Sequence, residues 1–219
     1  MSQVCFFDAY GTLFDVHAAV RRHADALGPE ADRVSALWRA KQLEYSWVHT
    51  LSERYVDFQT LTTMALDFAL EAMPTANRAV RDDLLQAYMT LDAYDEVAPV
   101  LQQLRQRRAT TGILSNGSRL MLDAAVEHAG LGDLLDHVLS VDDVRSFKTR
   151  AETYRMVCDA AGCEPGDVTF LSSNRWDVAG ATWFGFRCVW VNRSEQPDEY
   201  ADGAPVRVVR DLREALASI

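Results

Sequence analysis

The sequence predicts an α/β protein whose core is a doubly wound parallel sheet and which has a second, all-helical domain inserted into that core. Short and nearly continuous apolar runs recur between amphipathic stretches, as expected for strands buried on both faces of a parallel sheet. One long interval without strand signal interrupts the series, and 219 residues suffice for one domain with a smaller insertion. The six predicted strands are Val4–Phe7, Thr111–Leu114, Val138–Val141, Val168–Leu171, Cys188–Val191 and Val206–Val209.

Helical patterns fill the intervals between the predicted strands, where right-handed crossovers are expected. Val97–Arg108 has apolar residues at three-and-four spacing and ends in arginines, which suit the C-terminus of a helix. Two further stretches end at a glycine typical of a C-terminal cap. They are Met121–Ala129, before Gly130, and Thr153–Ala161, before Gly162.

The interval without strands predicts four or so helices, including Val34–Leu51 and Leu61–Met73. Because it is far longer than a crossover needs to be, we interpret it as an inserted domain. The predicted division is a core of residues 1–15 and 92–219 with a helical cap of residues 16–91. Ligand sites favour clefts between such domains.

Composition limits the partners and compartments to be expected. Asp and Glu number 32 against 22 Lys and Arg, a net charge of −10, which argues against nucleic acid or an anionic membrane as a partner. No apolar run approaches the roughly 18 residues that span a bilayer, and the first residues show no signal-peptide pattern, which favours the cytoplasm. The scattered cysteines are expected to be reduced, packed thiols: Cys5, Cys158, Cys163 and Cys188.

Polar residues follow four of the predicted strands. They are Asp8, the Ser115-Asn116 pair, Lys148, which is one of only two lysines, and the segment Ser172–Asp177. Each group alone is more typical of a turn or a helix cap than of a functional site. Parallel strands bind ligands at their carboxyl ends, so carboxylates, hydroxyls, an amide and an ammonium along one edge together predict an active site.

The same residues resemble the motifs of a known superfamily. The run Phe6-Phe7-Asp8-Ala9-Tyr10-Gly11-Thr12-Leu13-Phe14-Asp15 resembles the first motif of the haloacid dehalogenase superfamily. Its second, third and fourth motifs resemble Leu114-Ser115-Asn116-Gly117, Lys148 and Ser172-Ser173-Asn174-x-Trp176-Asp177. More narrowly, the Asp-Ala-Tyr-Gly-Thr variant and Trp38-Arg39-x-Lys41-Gln42-Leu43-Glu44-Tyr45 are similar to the L-2-haloacid dehalogenases. The resemblance covers essentially the whole chain and implies a Rossmann-like core with a helical cap.

The resemblance implies hydrolytic dehalogenation of L-2-haloalkanoic acids to D-2-hydroxy acids, with inversion, through an ester on Asp8 that water then hydrolyses. The catalytic residues it implies are Asp8, Thr12, Arg39, Lys148, Ser172, Asn174 and Asp177. The substrate-binding residues it implies are Tyr10, Arg39, Leu43, Phe58, Ser115, Asn116, Tyr154 and Trp176. Leu43 and Phe58 are equally typical of a helical core, and Tyr154 of an ordinary helix face. A homodimer formed through the helical insertion is also implied.

A phosphatase or phosphonatase of the same superfamily is the alternative function. Such enzymes have an aspartate as general acid where this chain has Tyr10. A phenol with a pKa of about 10 is a poor general acid at neutral pH beside a carboxylic acid. They also hold Mg²⁺ with a Gly-Asp pair where this chain has Ser172-Ser173, so we expect no metal and no cofactor. A non-catalytic binding protein is a further alternative, although it would have no need of Asp8, Lys148 and Asp177 together.

Overall fold

A computed structural model describes residues 3–216 of the chain, and six parallel strands form its centre. The strands are β1 (Val4–Phe7), β2 (Thr110–Ser115), β3 (His137–Ser140), β4 (Val168–Ser172), β5 (Arg187–Val191) and β6 (Arg207–Val209). They form one sheet in the order β3-β2-β1-β4-β5-β6. Each predicted strand is present with its ends within one residue of the prediction, and the predicted α/β class is confirmed.

Strand β1 lies in the middle of the sheet and is buried on both faces. Successive side chains of a strand point to opposite faces, and the two buried clusters follow that alternation. Val4 and Phe6 belong to one cluster, whereas Cys5 and Phe7 belong to the other. The sheet is therefore covered on both sides, which explains why its strands are continuously apolar in sequence.

Helices joined by short loops make up residues 16–91. The α-helices are α1 (Ala18–Arg22), α2 (Ala24–Leu27), α3 (Ala31–Leu51), α4 (Phe58–Ala72) and α5 (Arg81–Met89). Helix α4 begins three residues earlier than predicted because the Asp57 side chain caps it, accepting a hydrogen bond from the Thr60 N–H at 3.0 Å. Helices α3 and α4 pack as a pair, joined by a hydrogen bond from the Trp38 indole N–H to the Thr62 carbonyl at 2.8 Å.

Five further α-helices within residues 3–216 cover the sheet: α6 (Val97–Gln106), α7 (Arg119–His128), α8 (Ala151–Ala161), α9 (Arg175–Phe184) and α10 (Leu212–Leu216). Buried residues of α6, α7 and α10 belong to the same cluster as Phe7, and those of α8 and α9 to the same cluster as Phe6. Helix α8 ends as predicted, with Gly162 in the left-handed region at a φ of 62°.

The four thiols are unpaired, as expected from the cysteine spacing. Three of them are buried, and burial raises the pKa of Cys5 and of Cys188 to about 12 in each case. These two thiols are therefore protonated packing groups at neutral pH. Between residues 3 and 216, no helix is both long enough and apolar enough to cross a membrane.

Gly112 in β2 provides a test of how tightly the sheet packs. A Cβ atom at this position would lie 2.4 Å from the ring of Phe6, which stacks on His137 with 5.8 Å between ring centroids. We expect Gly112→Ala to lower the free energy of unfolding by about 1–3 kcal/mol, because the ring cannot move without disturbing that stack. Urea denaturation would measure the change. Gly132→Ala is the control, since no atom lies within 4 Å of its Cβ position, and equal losses for both variants would contradict the prediction.

Candidate active site

Four segments meet at the carboxyl edge of the sheet. Asp8 directly follows β1, and its N–H donates to the carbonyl of Leu171 in β4 at 2.9 Å, which fixes its position at the end of the strand. Ser115 and Ser172 are the last residues of β2 and β4, and Lys148 lies in the segment between β3 and α8. The polar residues that follow different strands therefore converge, as expected for a parallel sheet.

The carboxylate of Asp8 is 5% exposed and is held by four side-chain donors. One oxygen, Oδ2, accepts hydrogen bonds from Asn174 Nδ2 at 2.7 Å, Thr12 Oγ1 at 3.1 Å and Ser172 Oγ at 3.3 Å. The other oxygen, Oδ1, accepts from Lys148 Nζ at 3.1 Å. These donors leave the carboxylate little rotational freedom, so one of its edges is presented in a defined direction.

Lys148 lies between two carboxylates. Its Nζ is 3.1 Å from Asp8 Oδ1 and 2.8 Å from Asp177 Oδ2, and its side chain is 0% exposed. Burial alone would lower the pKa of this ammonium, but the carboxylates of Asp177 and Asp8 outweigh burial and raise it. The Lys148 N–H donates to Asn116 Oδ1 at 3.0 Å, which holds the backbone of this segment against the end of β2. The site therefore contains a permanent positive charge.

Asp177, in the first turn of α9, is fully buried behind Lys148. Burial raises the pKa of its carboxyl group to about 6, although the neighbouring Lys148 ammonium opposes the change. Tyr154 donates its hydroxyl to Asp177 Oδ1 at 2.8 Å, and burial raises the pKa of that phenol well above its ordinary value. Asp177 is therefore ionised at neutral pH, but it can accept a proton under mildly acidic conditions.

Arg39 extends from α3 of the helical insertion to the end of the sheet. Its guanidinium donates to Asn174 Oδ1 at 3.2 Å and to the Tyr10 carbonyl at 3.4 Å. Among residues 3–216, no carboxylate forms an ion pair with it. Because Asn174 contacts both Arg39 and Asp8, a cation from the insertion lies one side chain away from the buried carboxylate.

Two buried donors beside Asp8 have no hydrogen-bond partner in the part of the chain that the structure describes: the Tyr10 hydroxyl and Asn116 Nδ2. The ring of Tyr10 stacks on Tyr88 at 5.7 Å and packs against Phe58 at 6.1 Å, which fixes the phenol in an apolar wall. Buried polar groups are nearly always paired in native proteins, so these two donors are candidates to bind a group that accepts hydrogen bonds.

The remaining predicted site residues differ in how accessible they are. Leu43 and Trp176 are half-buried and line a cleft of about 690 Å³ together with Arg39 and Asn174. Three others are almost completely buried and do not line this cleft, namely Phe58, Ser115 and Tyr154. The Ser115 hydroxyl accepts from the Gly117 N–H at 3.0 Å. Phe58 is therefore part of the aromatic wall, and Tyr154 is a partner of Asp177.

Three residues that sequence reasoning did not assign to the site also belong to it. Ser173 donates its N–H to Thr12 Oγ1 at 2.8 Å, and Arg193 donates to the Thr12 carbonyl at 2.8 Å. Tyr88 stacks on Tyr10 from α5. Arg193 follows β5 closely, so inspecting every strand end could have found it, whereas no local pattern marks Tyr88.

The residues present do not suit a magnesium ion. A hard dication requires several anionic or carbonyl oxygens with open positions, but the Lys148 ammonium already lies between the two carboxylates. The neighbouring Ser172 and Ser173 are neutral. Across residues 3–216, no group of three or more His, Cys, Asp or Glu side chains is arranged to hold a metal ion.

Comparison with known proteins identifies the family. A family model of haloacid dehalogenase-like hydrolases matches residues 3–185. The chain is 45% identical over 206 residues to (S)-2-haloacid dehalogenase 4A of Burkholderia cepacia, covering 94% of this chain and 89% of that relative. A crystal structure of a dehalogenase matches at a TM-score of 0.97 and 42% identity, covering 100% of this chain and 97% of that chain.

A further solved structure is that of the L-2-haloacid dehalogenase from Xanthobacter autotrophicus with chloropropionic acid covalently bound. It matches at a TM-score of 0.89 and 35% identity, covering 99% of this chain and 98% of that chain. The matches span both the sheet and the helical insertion. The chain therefore belongs to the haloacid dehalogenase-like hydrolases and, within them, to the family of the (S)-2-haloacid dehalogenases.

Proposed function

We propose that this protein hydrolyses the carbon–halogen bond of L-2-haloalkanoic acids and releases D-2-hydroxy acids, through a covalent ester on Asp8. The observation that most directly supports the proposal is the buried Asp8 carboxylate, which is oriented by four donors and accompanied by an ammonium. The covalently bound chloropropionic acid of the Xanthobacter relative supports an ester intermediate. A phosphatase or phosphonatase is less well supported, because the residues do not suit magnesium.

In the first step an oxygen of Asp8 attacks C2 of the substrate from the side opposite the halogen. A carbon–oxygen bond forms, the halide leaves with the bonding electrons, and the configuration at C2 is inverted. Holding the carboxylate in line with the carbon can supply about 7–11 kcal/mol of the barrier. Thr12, Ser172 and Asn174 provide that orientation by donating to Asp8 Oδ2.

The departing halide needs stabilisation of negative charge and no proton, since it is the anion of a strong acid. Arg39 provides a cation without an acidic partner among the described residues, and Tyr10 and Asn116 provide the two unpaired donors. The substrate carboxylate is assigned to Ser115, the neighbouring backbone N–H groups and Lys148. The alkyl group is assigned to the wall of Tyr10, Leu43, Phe58 and Trp176.

In the second step water attacks the carbonyl carbon of the Asp8 ester. We propose that Asn174 and Asp177 position this water and that Asp177 takes its proton. A carboxyl group with a pKa of about 6 can accept and return a proton near neutrality. The tetrahedral intermediate then releases the alkoxide of the 2-hydroxy acid, which recovers that proton. Lys148 stabilises negative charge throughout, and Tyr154 orients Asp177.

We also propose the division into a core of residues 1–15 and 92–219 and a cap of residues 16–91, working as a homodimer in the cytoplasm. The helices of the insertion expose apolar side chains that a second copy could cover, which supports association through this part. They include Val48 and Leu51 of α3 and Met64 and Phe68 of α4.

The reaction class can be tested with the separate enantiomers of 2-chloropropanoate in the presence of excess chelator. We expect the L enantiomer alone to release chloride, with D-lactate as the organic product, and full activity to persist in the chelator. Ion chromatography and chiral analysis would measure both products. Loss of activity in the chelator, or release of phosphate from p-nitrophenyl phosphate with Mg²⁺, would favour the phosphatase alternative.

The ester can be tested by a single turnover in heavy-oxygen water. Because water attacks the carbonyl carbon of the ester, we expect the label in the Asp8 carboxylate and not in the first molecule of product. Mass spectrometry of the peptide containing Asp8 would measure it. Asp8→Asn should abolish turnover, since an amide is a feeble nucleophile. Label in the first product would mean direct attack of water on C2.

The assignment of Asp177 predicts a pH dependence. Its carboxylate takes up a proton as the pH falls through about 6, so we expect the rate of ester hydrolysis to fall there. Tyr154→Phe removes a donor to that carboxylate, so the midpoint should move to higher pH. Rapid-quench kinetics across pH 4.5–8 would measure both profiles. Tyr45→Phe in the insertion is the control, and the same midpoint for both variants would refute the assignment.

A further inference from the structure

The segment that follows β1 is a tight loop, and we call residues 9–14 the β1 loop. Its shape depends on the carbonyl of Ala9, which accepts hydrogen bonds from three successive N–H groups: Thr12 at 3.2 Å, Leu13 at 2.8 Å and Phe14 at 3.0 Å. Every backbone carbonyl in a buried loop needs a partner of its own. The Thr12 carbonyl finds its partner outside the β1 loop, in Arg193.

The hydroxyl of Thr12 lies between two acceptors. Its Oγ1 is 3.1 Å from Asp8 Oδ2 and also 3.1 Å from Ser173 Oγ. It accepts a hydrogen bond from the Ser173 N–H at 2.8 Å. A hydroxyl group has one proton to donate, so only one of the two oxygens can receive it at a time. The position of the Thr12 backbone therefore decides whether Asp8 keeps this donor.

Arg193 holds Thr12 from the side of its carbonyl. Arg193 lies two residues after β5, and its Nη2 donates to the Thr12 carbonyl at 2.8 Å. A hydrogen bond from a charged donor is about twice as strong as one between neutral groups. Thr12 is thus held at both ends, by its hydroxyl at Asp8 and by its carbonyl at Arg193.

The guanidinium of Arg193 is itself held in place. Its Nη1 forms an ion pair with Glu96 Oε1 at 2.7 Å, and the two side chains are only 16% and 6% exposed. Its central carbon lies 3.8 Å from the centre of the Tyr94 ring. The Tyr94 N–H donates to the carbonyl of Leu13 at 3.0 Å, so the segment before α6 contacts both the arginine and the β1 loop.

The contribution of Arg193 to the site is one of geometry more than of charge. Glu96 neutralises its guanidinium, whereas the Lys148 ammonium directly contacts Asp8. Stability alone does not account for the ion pair, because two apolar side chains of similar volume are often as stable in a buried position. What an apolar pair could not do is donate to the Thr12 carbonyl.

We propose that Arg193 is a positioning residue. By holding the Thr12 carbonyl, it keeps the Thr12 hydroxyl donating to Asp8, and Glu96 orients it for this task. The inference rests on the proposed function, which takes Asp8 as the nucleophile. Without Arg193 the hydroxyl can turn to Ser173, and Asp8 Oδ2 loses one of its three donors. Attack on the substrate then slows, while binding of the substrate is unchanged.

The first test measures kcat and KM for bromide release from L-2-bromopropanoate. We expect Arg193→Met to lower kcat by about tenfold and to change KM by less than about twofold. Arg22→Met is the matched control. Arg22 also donates to a backbone carbonyl, that of Thr90 at 2.9 Å, and pairs with Asp92, but neither partner belongs to the site. This control should leave both constants unchanged.

The second test asks whether Arg193 acts through Thr12. In a Thr12→Ala background no hydroxyl remains to be misplaced, so Arg193→Met should lower kcat by less than about twofold. A loss as large as in the unaltered background would overturn the inference. Arg193→Met leaves the Glu96 carboxylate buried without its partner. If that variant does not fold, Arg193→Met combined with Glu96→Gln replaces it in every measurement.

The third test needs no reaction. Crystal structures of the unaltered protein and of Arg193→Met are compared at Thr12. We expect the distance from Thr12 Oγ1 to Asp8 Oδ2 to increase from 3.1 Å in the unaltered protein to beyond about 3.5 Å in the variant. Failure of the unaltered protein to hydrolyse L-2-bromopropanoate would count against the proposed function alone. An unmoved Thr12, or an effect of Arg193→Met confined to KM, would overturn the inference.

Discussion

The ammonium of Lys148, shared between the carboxylates of Asp8 and Asp177, is the interaction on which the rest of the site depends. All three side chains are almost completely buried, and an isolated charge in such surroundings would be strongly unfavourable. The Lys148 ammonium stabilises the two buried carboxylates, and the carboxylates raise the pKa of Lys148 and so keep it protonated. Since the three residues come from different parts of the chain, the arrangement exists only when β1, β4 and the segment after β3 are in register. The charge arrangement of the site therefore depends on the correct pairing of the strands.

The helical insertion completes this balance of charge. Asp8, Lys148 and Asp177 together have one negative charge in excess. Arg39 adds a positive charge close to them, and no carboxylate among the described residues pairs with it. The Lys148 ammonium belongs to the core, and the Arg39 guanidinium belongs to the insertion. The core and the insertion therefore each place one cation near Asp8, while the protein as a whole has a net charge of −10.

The sheet could be predicted from sequence because it is parallel and buried on both faces, so that each strand is a short apolar run, such as Val4–Phe7. The rule that ligands bind at strand ends then predicted that Asp8, Lys148 and Asp177 lie along one edge of the sheet. The ends of helices are harder to predict from sequence. A cap such as Asp57 acts through a single hydrogen bond and lies before the residues whose periodic spacing predicts the helix. The Tyr88 contact depends on how α5 packs against the core, and no local pattern records that packing.

The hydrogen bonds to Asp8 also bear on how the protein forms. Ser172 and Asn174, which orient the carboxylate, lie 164 and 166 residues further along the chain. Contacts between such distant segments close large loops and slow folding. During synthesis, β1 leaves the ribosome long before its neighbouring strands β2 and β4, so its apolar residues have no strand to pair with in that interval. The hydrogen bonds from Ser172 and Asn174 to Asp8 can therefore form only after β4 has emerged, and the apolar residues of β1 stay exposed until β2 can pair with them.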